Sequence, residues 1–450
     1  MASNLYRYNF KTKLKFVLPG DKTYDVPVIN KITKHFNYDK DFFPIYECDC
    51  VVPINMMTLI RSNQDSIYAI LNIQKEKYKS NDSLTPETTE EILDQVFLPL
   101  FTKDSFSPIV PGVSETSGAK DNAISTFDES AALTKRIKFA LYSVVGLSLN
   151  KKILNYVADE ADVGTMLKFL ISKAFEKEKN KNKDDKEAIK GCIIDKPDND
   201  DVYKNLIITP HNLNTAIKEL QTRYGIYRNG LTCFFDAPVL YVLNKFSLNH
   251  DCELDKPNKL IFECQVRNPA VQIGISPVIE NKDKSLTYKV TSIPAPVNQD
   301  ISLSELNGNE YLFSNLTLAS NMMTFEGGEI KEFTEPTESL VSDNIRHKKT
   351  SPKTTVDYDE TNNPYNITSL LKSSNLGTLV TINNIIGIDP ESFKPNSTIT
   401  IKITDDDKKD EELSGVYSLL SGSITFERSN PDEDRIICGI SNILLSRMDS

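Results

Sequence analysis

The chain has 450 residues, Lys+Arg 52 against Asp+Glu 63, and a formal net charge of −11; its length exceeds what one hydrophobic core supports and predicts roughly three or four domains. The acidic balance argues against a protein whose main work is gripping phosphate backbones, while leaving room for one that surrounds nucleic acid without holding it. Seven cysteines (48, 50, 192, 233, 252, 264, 438) are odd in number and scattered through apolar runs, which suits reduced thiols in a cytosolic setting better than a disulfide framework. No run reaches the ~18 apolar residues of a membrane span, and MASNLYRYNFKTKLKF lacks the apolar region of a signal peptide, so neither export nor stable membrane insertion is expected. The N-x-S/T sequons at Asn81, Asn315, Asn366 and Asn396 then read as chance matches.

Residues 5 to 18 give the clearest strand: Tyr6, Tyr8, Phe10, Leu14, Phe16 and Leu18 alternate with Arg7, Asn9, Lys11, Lys13 and Lys15. Its length predicts either a strand crossing a curved sheet or one reaching into a neighbouring subunit. Pro19-Gly20 breaks it, Val26 to Ile32 resumes, Asn37 to Asp41 is turn chemistry, and Pro44 to Val52 and Ile67 to Gln74 are further strands about a short helical Ile54 to Arg61. Tyr78 to Asn122, rich in Ser, Thr, Asp and Pro and broken only by Ile92 to Phe101, reads as a connection or insert. Asp128-Glu129 is expected to open a helix with a stripe at Leu133, Ile137, Ala140, Leu141 and Val144, and Val163 to Phe175 a second helix. The mixed-charge Glu176 to Lys190 reads as a solvated end.

In Leu206 to Lys245 the local signals agree best. Thr209-Pro210 predicts a helix start, Leu213, Ala216, Ile217, Leu220 and Tyr224 share one face, and Gly225 stops the helix. Leu231 to Phe235 and Val239 to Leu243 then form a hairpin about Asp236-Ala237-Pro238. Beyond it, Leu260 to Val266, Val271 to Ile279, Leu286 to Ile293 and Tyr311 to Phe325 are β-like, and Gly327 to Asn363 reads as irregular. Leu379 to Ile388, Ser397 to Thr404, Gly415 to Leu420 and Ile424 to Arg428 suggest a small closing barrel or sandwich.

The motifs of catalysis are thin. The four histidines, His35, His211, His250 and His347, are not paired with each other or with a carboxylate at helical spacing. Cys48 and Cys50, two apart on a strand, point into a core, and further zinc ligands at a suitable spacing are not seen. Gly112 to Lys120 comes near a phosphate loop, but its glycines are one residue too far apart, Ala119 separates Gly118 from the lysine, and Asp121 stands where a hydroxyl is required. Asp357, Asp359 and Asn362, and Asp405 to Asp407, lack calcium-loop spacing and read as solvated turns. Cys233 reads as a buried thiol and Asp236 as a turn residue. No catalytic, cofactor-binding or metal residues are therefore assigned, no cofactor is expected, and the chain is read as a non-enzyme.

Three segments carry a resemblance to the baseplate hub proteins of contractile-tailed bacteriophages. They are Tyr38 to Tyr46 with the strand-helix-strand run to Gln74; Tyr224, Tyr227-Arg228, Phe234-Phe235-Asp236 and Tyr241-Val242-Leu243; and Ile388-Asp389-Pro390 to Thr404 with Ser414 to Ser418. The resemblance, over about half the chain, implies a homotrimeric ring with two barrel-like domains per subunit, joining a hexameric tail tube to a trimeric central spike and forming part of a DNA channel. The implied partners are further copies of the chain, the tail tube or a tube-initiator protein, the spike and a tape-measure protein, with DNA passing through unbound. The place is the virion's tail baseplate, assembled in the host cytoplasm. A tail-associated peptidoglycan hydrolase or peptidase, and another oligomeric viral structural protein or adhesin, stay open as alternatives.

The fold class expected is α+β and multi-domain, mainly β with small barrel-like domains and a helical middle. The segments are 1–78 (N-terminal β), 79–125 (linker or insert), 126–250 (helical, ending in the hairpin), 251–375 (second β domain with an irregular polar segment) and 376–450 (small β).

Overall fold

The computed structural model describes residues 4–79, 85–102, 134–176, 189–245, 259–265, 278–290, 379–405, 413–428 and 436–448, less a few single positions, together with Ser105, short strands between 295 and 355, and residues 408–409. Outside them lie the four sequon asparagines, Gly112 to Lys120, Asp128-Glu129, most of Glu176 to Lys190, Cys252, His250, His347 and the Asp357 to Asn362 set.

The chain opens with β1 (Asn4–Leu18), β2 (Lys22–Asp25), β3 (Val28–Asn37), β4 (Ile45–Pro53), helix α1 (Ile54–Ser62), β5 (Tyr68–Lys79), β6 (Thr88–Leu100) and β7 (Thr134–Ser143). The helix expected from Asp128 through Val144 is thus corrected to a strand over its described part. Ile137, Phe139 and Leu141 are buried at period two between β4 and β6, and Ile137 and Leu141, four apart, fit a helix as well as a strand until Phe139 is counted. Part of the expected insert is likewise strand. In β6 the buried positions are Leu93, Gln95, Phe97 and Pro99, and the apolar Ile92, Val96 and Leu98 on the other face hide the alternation.

The middle follows as α2 (Val144–Lys151), β8 (Ile153–Asp162), α3 (Val163–Phe175), β9 (Gly191–Ile194), β10 (Val202–Asn212), α4 (Leu213–Arg223), β11 (Leu231–Asp236) and β12 (Val239–Asn244). Three helices share one start: the last strand residue turns extended backbone into helix and caps it. Ser143 accepts from the Gly146 N–H, Asp162 from Thr165 and Asn212 from Thr215. The expected start at Thr209-Pro210 is therefore wrong by three residues; both lie in β10, and Asn212 supplies the cap oxygen. Gly225, at φ +80°, ends α4 as expected, its N–H donating to the Leu220 and Gln221 carbonyls. Leu213, Ala216, Ile217 and Leu220 are fully buried with Leu206, Ile208 and Tyr227 in a core of their own.

The remaining strands are β13 (Leu260–Gln265), β14 (Val278–Glu280), β15 (Leu286–Val290) and β16 (Ala295–Pro296); β17 (Tyr311–Ser314), β18 (Met322–Glu326), β19 (Glu329–Phe333) and β20 (Thr354–Thr355), which form a sheet apart; and β21 (Leu379–Ile386), β22 (Thr398–Asp405), β23 (Lys408–Lys409), β24 (Gly415–Arg428) and β25 (Ile436–Arg447). The fold is mainly β within an α+β chain.

Hydrogen-bonded neighbours run β1-β5-β6-β7-β4-β3-β24 and return through β22-β13-β15-β14 to β1, an eleven-strand circuit. The strand β25 spans it, pairing along β24 and meeting β1 where Phe10 faces Ile436. Two rings result: β1, β5, β6, β7, β4, β3, β24 and β25 close the first, and β1, β14, β15, β13, β22, β24 and β25 the second. This explains the long first strand within one chain. Tyr6 to Val17 pair with β5 in the first ring, while Asn4 to Tyr6 pair with β14 in the second.

The two strands expected at 415–420 and 424–428 are one. Gly415 to Ser418 pair with β22, Ser421 to Glu427 pair with β3, and the ladder to β25 shifts register at Leu419/Ser421 and Ser423/Ile424, where the strand bends from one ring to the other. At that bend a Cβ on Gly422 would stand 2.7 Å from the Asn442 carbonyl oxygen. Residues on both sides of the limits expected at 78, 125 and 375 build these rings, and one core runs through both, from Phe16 and Phe139 through Phe10 and Phe426 to Phe262 and Tyr288.

Candidate functional site

Strand β11 alternates Thr232 and Phe234 with Cys233 and Phe235, and its faces enter different cores. Phe234 packs in the barrel core, its ring 4.7 Å edge-on from Tyr38, whereas Cys233 and Phe235 pack among the helices. The N–H of Phe235 donates to the Phe42 carbonyl at 2.7 Å. The hairpin thus joins the helical middle to the first ring through the Tyr38 to Phe43 loop.

Two ion pairs hold the joint. Lys34 on β3 donates to both carboxylate oxygens of Asp236 at 2.7 and 2.9 Å, with the side chains 13% and 17% exposed. Burial alone would lower the Lys34 pKa, but Asp236, with Tyr46 and Cys438 adding to it, raises it to about 12. Lys245 meets Asp39 at 2.7 Å. Between hairpin and ring lies a cavity of about 140 Å³ lined by Lys34, Tyr46, Asp236, Tyr241, Glu391 and Lys394.

A second cluster joins the two rings. Lys75 on β5 meets Asp389 at 3.2 Å, Glu90 at 3.2 Å, and Glu391 more closely still. Lys77 meets Glu280 at 3.2 Å and lies 3.7 Å over the Tyr6 ring. Burial raises the Asp389 pKa, Lys75 opposes it, and Glu391 adds to it; burial likewise raises Tyr8 and Tyr288. The partners of Lys34 and Lys75 raise both their pKa values, which keeps these two lysines protonated and makes them ties between elements and not nucleophiles.

The residues weighed for chemistry are placed as follows. Burial lifts Cys48 and Cys50 well above the ordinary thiol range and Cys233 to about 12, the opposite of an activated thiolate. Asp236 is the partner of Lys34 as well as a turn residue. In space, His211 on β10 comes within 3.9 Å of Glu219 on α4, and His35 on β3 within 3.2 Å of Glu47 on β4. Glu219 is already engaged by the Thr209 hydroxyl at 2.8 Å and Arg223 at 3.1 Å. Among the described residues no group of three or more His, Cys, Asp or Glu could hold a metal ion, and no helix is long and apolar enough to cross a membrane.

Sequence reading missed Lys34, Lys75 and Asp389. The signal was parity: Lys34 lies on the inward face between Ile32 and Phe36, and Lys75 follows Leu71 and Ile73 inward. A lysine at a core-facing position predicts a buried carboxylate partner.

The model of the bacteriophage PBS1 gene 109 protein family matches residues 1–438. The chain belongs to that family. No curated protein matches the sequence. In structure the chain is similar to the tail protein from Neisseria meningitidis MC58, at TM-score 0.46 and 11% identity over 97% of each chain. It is also similar to a 43 kDa tail protein of prophage MuSo2 from Shewanella oneidensis, at TM-score 0.47 and 9% identity over 98% of this chain and 97% of that one. A third similarity is to a chain of the half-lidded Francisella PdpA-VgrG complex, at TM-score 0.44 and 11% identity over 99% of this chain and 58% of that one.

Proposed function

We propose that the chain is a structural virion protein: the homotrimeric hub of a phage tail baseplate, seated between the hexameric tail tube and the trimeric central spike and forming part of the DNA channel. What carries the reading is the pair of strand rings built by one chain around the shared β24, β25 and β1. Three copies about an axis would present six ring units, so a three-fold body could meet a six-fold tube on one side and a three-fold spike on the other. Family membership and the three hub-like sequence segments support the same reading. The net charge of −11 suits a lumen that passes DNA without retaining it. In this reading the buried ion clusters tie domains together and the chain catalyses no reaction.

The test is the mass of the purified full chain by light scattering across concentration, with incubation on bacterial cell walls alongside. Assemblies in multiples of three and no released wall fragments are expected. A monodisperse monomer at high concentration would contradict the hub, and released fragments would favour the hydrolase.

A further inference from the structure

The helical middle is electrically lopsided along its ribbon. Strands β8 and β10 pair from Ile153 and Asn212 at one end to Asp162 and Val202 at the other, a span of about 30 Å. At the first end Lys151 closes α2 and Lys152 follows it. Lys152 donates to the Lys173 carbonyl near the end of α3, and Lys151 is exposed with no ion pair among the described residues. At the far end Asp159 and Glu160 of β8, and Asp200-Asp201 just before β10, are all exposed and also without an ion pair among the described residues. They flank Val202, which is 60% exposed, and Lys204 is the cation on the strands there.

The basic end stands beside an open groove of about 430 Å³. Tyr68 on β5 and Leu98 on β6 form one wall, pointing outward because Ala69 and Phe97 beside them face into the ring core. Val144 and Leu147 of α2 form the other wall, and Lys151 and Lys152 line the rim. Tyr68 is 45% exposed. Apolar walls under a basic rim suit an aliphatic side chain carried between carboxylates. The far end of the ribbon has that chemistry. Knob and groove lie at opposite ends of one ribbon, so within a single chain they do not meet.

We propose that the Val202 end of the ribbon of one copy docks in the Tyr68–Leu147 groove of a second copy, with Glu160, Asp200 and Asp201 against Lys151 and Lys152. The contact is head-to-tail, each copy giving a knob and receiving one, so that it closes into a ring. The copy number, three, rests on the hub reading; the docking names the surfaces that join neighbouring copies.

The experiment is sedimentation equilibrium of the full chain and of variants at exposed positions. The wild type is expected at the mass of three chains, and Val202→Lys and Tyr68→Lys each at the mass of one. An equimolar mixture of those two variants should give a particle of two chains, because the intact knob of one meets the intact groove of the other. Lys151→Glu and Asp201→Lys should each weaken assembly by about tenfold, and the two together in one chain should restore it. A wild type of three chains with both lysine variants at the same mass would overturn the docking and leave the hub standing. Variants that are single chains and stay single when mixed would overturn it as well. A wild type of single chains would overturn the hub reading and the docking together. Circular dichroism checks each fold, and a Tyr68→Lys chain that has lost it is replaced by Ser148→Arg, at an exposed position lining the groove, for which the same masses are expected.

Discussion

In the first ring every strand has a hydrogen-bonded neighbour on both sides, whereas the β8–β10 ribbon has one edge covered by α4 side chains and the other without a backbone partner among the described residues. The two regions sit on one chain and meet at the hairpin, where Phe234 faces one core and Phe235 the other. The ring has little left to offer a partner through its ladders, because closure uses up the edges. Among the described residues, the β8 edge of the ribbon has no second strand beside it. Closure and openness are therefore divided between the two parts of the molecule.

Substitutions at the joint should break the closed region hardest. Phe234→Ala empties a fully buried site against Tyr38 and should cost about 3–5 kcal/mol in chemical denaturation, while Val157→Lys on the ribbon should leave the denaturation midpoint almost unchanged. Asp236→Ala leaves Lys34 with no carboxylate at a site where it is 13% exposed, and should cost about 3 kcal/mol; replacing Lys34 by Met in the same chain should recover much of that loss.

Asp389→Asn sharpens the contrast between the ion clusters. Lys75 keeps Glu391 and Glu90 when Asp389 loses its charge, so the cost should be under half that of Asp236→Ala. The pH dependence has a defined sign. Burial raises the folded pKa of Asp389 above its ordinary value, about 3.9 for a free Asp. Its contribution to stability is thus fully present below that value and is lost as pH rises through the raised one. Unfolding free energy measured upward from about pH 4 should show this decline in the wild type and a flatter profile in Asp389→Asn. A modest loss is expected from Asn212→Ala, which removes the oxygen accepting the Thr215 N–H at 2.9 Å and should lower stability by about 1 kcal/mol.

The residues that read correctly in the sequence are those whose local pattern has one solution. β1 alternates apolar and polar residues from Tyr6 to Leu18 with breaks only at Thr12 and Val17, α3 and α4 carry full stripes, Gly225 ends a helix and Phe234-Phe235 sit in a hairpin. The pattern fails where two periods fit, as at Ile137 and Leu141 in β7, and where both faces of a strand are apolar, as in β6. At β10 the Thr209-Pro210 pair imitates a helix start three residues early. Neither the ion clusters nor the sharing of β24 between two rings could be read locally, because Lys34 and Asp236 are 202 positions apart and Lys75 and Asp389 are 314 apart. The register shifts that let β24 serve both rings are properties of its neighbours more than of its own residues.

The central claim, a three-fold body presenting two rings per chain, is tested most directly by averaged electron-microscope images of the purified full chain. The account predicts a closed particle of three chains with a central opening and six similar densities around it. Single chains, or a closed particle of any other copy number, would contradict it.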